Sequence, residues 1–118
     1  MLASSDSGAV AMLPQPYVTT VMAANSDVRI ALDVTKEWEN LSTDGSTVVT
    51  GVIAVNADYY EKNKAAVAKF MEEYENSVDF VNSNVDTAAE YVEEFGIFKA
   101  AVAKKAIPYC NITFIKSK

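Results

Sequence analysis

Carboxylates are the first groups in this sequence that could do chemistry, and they come in clusters. Glu37 and Glu39 flank the only tryptophan, Trp38. Glu72, Glu73 and Glu75 form a second group, and Glu90, Glu93 and Glu94 a third. Two carboxylates can share acid–base work when one is held against a nucleophile or a water and its pKa is tuned. Nothing near Glu37 and Glu39 supplies a nucleophile or a positioning group. The other two groups fall on the polar faces of predicted helices, where charge is ordinary solvated surface. The chain contains no histidine, so no Ser-His-Asp triad, Cys-His pair or histidine-based metal site can form within it. Cys110 is the only cysteine and has no partner for an internal disulfide. It reads as a small apolar residue near a strand, since a reactive thiol needs a neighbouring cation. The four glycines fall in no phosphate-loop pattern, and no carboxylate spacing resembles a calcium loop. The expectation is a protein that is not an enzyme and needs neither metal nor cofactor.

The segment Leu13-Pro14-Gln15-Pro16-Tyr17 is chemically different. Each proline fixes its own φ and disfavours helix in the residue before it. The backbone is therefore stiff where it presents Gln15 and Tyr17 at a predicted strand-to-helix junction. Ligands of α/β folds bind beyond the carboxyl ends of strands. A small solute could be held there by a helix N-terminus, the Gln15 amide and the Tyr17 ring. A rigid turn with a buried tyrosine fits the same residues. Trp38 likewise reads either as a core or interface aromatic or as a ligand contact.

The surrounding pattern supplies elements to position these residues. Ala9 to Leu13 is a short apolar run that reads as a buried strand, after a polar lead-in over Ser4 to Gly8. Pro16 can open a helix running through Tyr17 to Ala24, ended by Asn25-Ser26-Asp27. Val28 to Val34 alternates apolar and polar residues and predicts a strand. Thr35 to Leu41 predicts a short turn or helix around Trp38, followed by a loop at Ser42 to Ser46. Thr47 to Val55 is rich in β-branched residues and nearly continuous in its hydrophobicity, the pattern of a central strand covered on both faces. Asn63 can cap a long helix whose stripe is Val67, Phe70, Met71, Tyr74, Val78 and Val81. A second helix starts at Asn84 or Asp86 and stops at Gly96. A third covers Ala100 to Ala106 and ends before Pro108, and Asn111 to Ile115 predicts a last short strand. The expected architecture is α/β: a small sheet packed with helices and a helix-rich C-terminal half.

Composition agrees with one folded domain over residues 1–118: half the residues are hydrophobic and 22% are charged. The net charge of −6 offers no footprint for nucleic acid and no polybasic segment for an anionic membrane. Met1 to Ala11 lacks the basic start and long apolar run of a signal peptide. No stretch is long and apolar enough to insert in a bilayer.

In order along the chain, these residues resemble a known family. Gly8-Ala9-Val10-Ala11-Met12-Leu13-Pro14-Gln15-Pro16-Tyr17-Val18-Thr19 resembles the G-A-x-x-L-P-E-P segment of solute-binding proteins of ABC importers, in the nitrate/taurine/sulfonate-like group. Leu32-Asp33-Val34 with Glu37-Trp38 is similar to its l-d-x-t-x-E-W stretch. Val52 to Asn56 followed by Asp58 to Asn63 is similar to v-l-v-v-x-x-d-f-x-e-e-N-P. Phe70 to Tyr74 with Ser77-Val78 and Val81-Asn82 is similar to f-l-x-e-y-x-x-S-i-x-x-v-n, and Ala106 to Ile112 to A-I-P-x-c-n-i. Gln15 stands where the family has Glu, which removes a charge near the supposed ligand, and Lys64 stands where it has Pro.

The resemblance implies a two-lobed periplasmic-binding-protein fold of the second type, closing on a solute between its lobes. Such proteins have about 300 residues, beyond the usual single-domain size, so the match covers a C-terminal fragment forming part of one lobe. The implied ligand-binding residues are Leu13, Pro14, Gln15, Pro16, Tyr17 and Thr19, with Trp38 added from its aromatic character. The implied partners are a small organic or anionic solute and an ABC permease subunit. The implied location of the full-length parent is extracytoplasmic, periplasmic or as a cell-surface lipoprotein. Sheet edges and apolar faces left open by a missing half predict a homodimer with exchanged elements. The leading expectation is therefore transport-related solute binding. The alternative is a non-catalytic dimerising structural or interaction domain that binds no solute. A small enzyme working through Glu37 and Glu39 is a third function.

Overall fold

The computed structural model describes residues 8–116; most of the lead-in expected at Ser4 to Gly8 lies outside them. The described chain forms two compact units. One comprises the residues up to Val28 together with Ala65 onward, and the other comprises Arg29–Lys64.

In the first unit, α1 spans Tyr17–Ala24 and follows directly on Pro16. The long helix α4 is Lys64–Ser83, α5 is Val85–Glu94 and α6 is Ala100–Ala106, continued by a 3-10 turn at Ile107–Tyr109. The expected helices match these positions. Gly96 takes φ +69, the left-handed conformation that costs glycine little. This lets Gly96 and Ile97 donate back to the carbonyls of Glu93 and Val92, which closes the end of α5.

The core of this unit is small-residue packing. Ala88 and Ala89 of α5 meet Ala103 and Ile107, with Val81, Val85, Val92 and Ala100 around them. Alanines at the contact let α5 and α6 approach closely. Val78 is the buried residue of the α4 stripe, and an ion pair of 2.8 Å between Lys104 and Asp86 ties α6 to α5.

In the second unit, α2 is Val34–Leu41 and α3 is Ala57–Lys62. The Asp33 carboxylate caps α2 by accepting from the backbone N–H groups of Thr35 and Lys36. Asn56 caps α3 through the N–H of Tyr59. Helix α3 was not foreseen. Asn63, expected to cap α4, instead donates its side-chain amide to the Tyr59 carbonyl at 2.9 Å and closes α3.

The expected α/β architecture is overturned: no strand and no sheet occur among the described residues, whose regular structure is six α-helices and the 3-10 turn. The partial binding-protein lobe with a small sheet is therefore not the fold of this chain. The physical reason is visible segment by segment. Strand propensity describes fit to a pleated surface and becomes structure only when a neighbour supplies the hydrogen-bond ladder. Residues 9–13 have no such neighbour, and Val10 is 97% exposed. The alternating run at 28–34 is cut short by the Asp33 cap, which converts Val34 into the first residue of α2. Residues 47–55 carry no regular structure. Residues 111–115 lie along α4 instead of pairing: Asn82 donates to the Ile112 carbonyl at 2.9 Å, and the Phe114 ring meets Tyr74 edge-on at 5.8 Å.

Candidate functional site

The proline corner lies in the first unit. Between the two prolines Gln15 turns its side chain forward over the start of α1. Its Oε1 accepts from the Thr19 backbone N–H at 3.3 Å and from the Thr19 hydroxyl at 2.8 Å. Pro16 has no side-chain acceptor, so Gln15 performs from one residue upstream the capping that Ser or Asp would perform at the cap itself. The backbone N–H donor also fixes which end of the amide is oxygen. The Val18 N–H donates to the Pro14 carbonyl at 3.3 Å and the Thr20 N–H to the Pro16 carbonyl at 3.0 Å.

Those bonds change what the corner offers a ligand. The helix N-terminus expected to take part in binding is largely occupied by its own chain, and the Thr19 hydroxyl is committed to Gln15. The groups left over are the Gln15 amide NH2 and the Tyr17 phenol. Tyr17 is not buried: it is 54% exposed, and its ring sits edge-on to Phe98 with centroids 5.8 Å apart and planes at 81°. Leu13 and Pro14 are exposed and Pro16 is half-buried. Leu13, Pro14, Gln15, Pro16, Tyr17 and Thr19 thus form one continuous surface, with Phe98 as the support that the sequence reading missed.

Trp38 belongs to the second unit and sits in a hydrogen-bonded loop. Its Nε1–H donates to Ser46 Oγ at 3.1 Å. Asp44 accepts from the Ser42 hydroxyl and the Ser46 N–H, each at 2.9 Å. Ser46 and Ser42 hold the Asp44 carboxyl down at about 2, against an ordinary 3.8. The indole is 48% exposed, so it is not a core aromatic. Glu37 and Glu39 lie on the same helix two positions apart, a spacing that turns side chains to different sides.

The remaining clusters have structural partners. Lys69 bridges Glu72 and Glu73. Glu93 was expected on a solvated face, yet it crosses the α5–α6 turn to accept from Lys99 Nζ and from the Ala100 N–H, both at 2.8 Å. It thereby caps α6, and both partners lower its pKa, Lys99 more strongly. A cap supplied across a turn has no local sequence signature, which is why it was missed. Cys110 is half-buried with its Sγ donating to the Ala106 carbonyl at 3.3 Å, and burial pushes its thiol pKa up. No group of three or more His, Cys, Asp or Glu residues placed to hold a metal occurs among the described residues. No helix there is long and apolar enough to cross a membrane. An open depression on α4 and α5 is lined by Glu73, Ser77, Phe80 and Tyr91. Comparison of the chain with protein-family models, with curated proteins and with solved structures found no match.

Proposed function

We propose that this chain is the C-terminal part of a solute-binding protein of an ABC-type importer, and that Leu13 to Thr19 contributes one wall of its solute site. The reading rests on the ordered sequence resemblance and on the proline corner, not on the fold. The observation that carries it is the division of labour within Gln15. Its oxygen is fixed on Thr19, which leaves the amide NH2 uncommitted in the same short segment as the exposed Tyr17. An amide donor and an exposed aromatic ring on one rigid segment suit a small organic or anionic solute, bound by a few placed polar groups against an apolar surface. The parent protein would act outside the cytoplasm and deliver its solute to a permease subunit.

Thermal-shift screening with sulfonates, nitrate, amino acids and pyrimidines tests this, because a ligand of the folded state raises its melting temperature. The expected result is a rise with one solute class that is lost in Gln15→Ala and Tyr17→Ala. Absence of any rise, in this chain and in the protein produced from its native reading frame, overturns the proposal. The competing reading, a dimerising interaction domain without a solute, draws on the exposed apolar residues of the second unit.

A further inference from the structure

We infer that residues 47–55 are a self-pairing strand through which two copies of this chain associate, antiparallel and centred on Gly51. This inference is independent of the solute-binding reading. It starts from the second unit as a folding problem: no residue of Arg29–Lys64 is buried. Units below roughly 40 residues usually need disulfides, metals or association to be stable, and this one has no cysteine and no metal cluster among the described residues. Its apolar side chains face solvent instead. Val52 is 83% exposed, and Ile30, Leu32, Val49, Ile53 and Val55 are exposed as well.

Residues 47–55 stand out within it. The segment Thr47-Val48-Val49-Thr50-Gly51-Val52-Ile53-Ala54-Val55 is β-branched almost throughout and contains no proline. None of these residues makes a hydrogen bond within the chain. An exposed, apolar, unpaired run of this kind is a template for another strand.

The pattern of residues identifies the second strand as a copy. Around Gly51 the segment is close to self-complementary. A two-fold axis there sets Thr50 opposite Val52, Val49 opposite Ile53, Val48 opposite Ala54 and Thr47 opposite Val55. Every pair joins β-branched or apolar partners, the kind that stabilises cross-strand contact. The contact is isologous and closes after two chains. Charge favours it too. The chain carries −6, but residues 45–57 contain no charged side chain, so two copies can meet there with their acids held apart. Asp44 and Asp58 bound the stretch, and in this register Asp44 of one copy faces Asp58 of the other. That repulsion limits the ribbon to the uncharged segment and makes association tighter as salt is added.

Light scattering on the eluting peak of a sizing column, with the full chain at tens of micromolar, should give twice the chain mass, and Ile53→Lys should return it to the single-chain mass. The helical far-UV signal of Ile53→Lys, carried mainly by α4 to α6, reports that the variant is folded. Register is read by disulfide trapping in a Cys110→Ser background. Gly51→Cys places two thiols across the axis, where opposed strands bring Cα atoms to about 4.5–5.5 Å, within disulfide reach. Val49→Cys places them about 13 Å apart along the ribbon and should not cross-link. A single-chain mass for the unmodified protein overturns the inference. So does a dimer in which neither variant cross-links, or one in which Val49→Cys cross-links as well as Gly51→Cys, which is the signature of parallel pairing.

Discussion

Gln15 Oε1 accepts two hydrogen bonds from one residue, 3.3 Å from the backbone N–H of Thr19 and 2.8 Å from its hydroxyl. The side chain expected to face a ligand is therefore also the cap of α1. Gln15→Ala should lower stability by about 1 kcal/mol, the usual cost of a lost cap. Gln15→Glu keeps an acceptor and places a negative charge at a helix N-terminus, where it is favourable, so it should match or exceed the parent. Urea unfolding followed by far-UV circular dichroism compares the three proteins.

The Ala88–Ala89 contact with Ala103 and Ile107 gives a second prediction. Ala89 is 1% exposed, so a larger side chain has no room. Ala89→Leu should cost about 1–3 kcal/mol through overpacking. Ile107→Ala should cost about 2–5 kcal/mol through lost burial and the cavity left behind. Both should lower the melting temperature of the helical signal. The opposite result, a stabilising Ala89→Leu, would mean that α5 and α6 are further apart than described.

The loop around Trp38 should report acid. A carboxyl whose folded-state pKa is depressed stabilises above its unfolded value and loses that contribution as pH falls through the folded value. For Asp44 the window runs from about 3.8 down to about 2. Protonation there releases Ser42 and Ser46, and Ser46 is the acceptor for the indole. Emission from the only tryptophan should shift to longer wavelength across that interval. Asp44→Ala, which removes the acceptor, should already show the shifted spectrum at neutral pH and lack the transition.

Apart from α3, the helices were legible because their signals are local. Pro16 before Tyr17, the stripe from Val67 to Val81, Gly96 after α5 and Pro108 after α6 each act within a turn or two of where they stand. The predicted strands failed because a strand is a relationship between segments. Thr47 to Val55 has the composition of a sheet interior, but composition does not provide a neighbour. Where a local competitor existed, as with Asp33 capping α2, it decided the outcome. The corner at Gln15 and Tyr17 was found from its residue types. Its Thr19 hydrogen bonds and its Phe98 support were not found, because they depend on where α6 docks and how one amide rotates.

The lack of any buried residue between Arg29 and Lys64 also bears on how the molecule opens. Heat-capacity change and denaturant sensitivity both scale with the surface newly wetted on unfolding. Melting this stretch in the isolated chain wets little that was dry, so it should add almost nothing to the calorimetric transition. Its amides should exchange with deuterium near the rate of an unstructured peptide, while those of α5 and α6 are retained longest. Self-association would be recorded as a gain of protection confined to 47–55, a footprint that appears and fades with protein concentration.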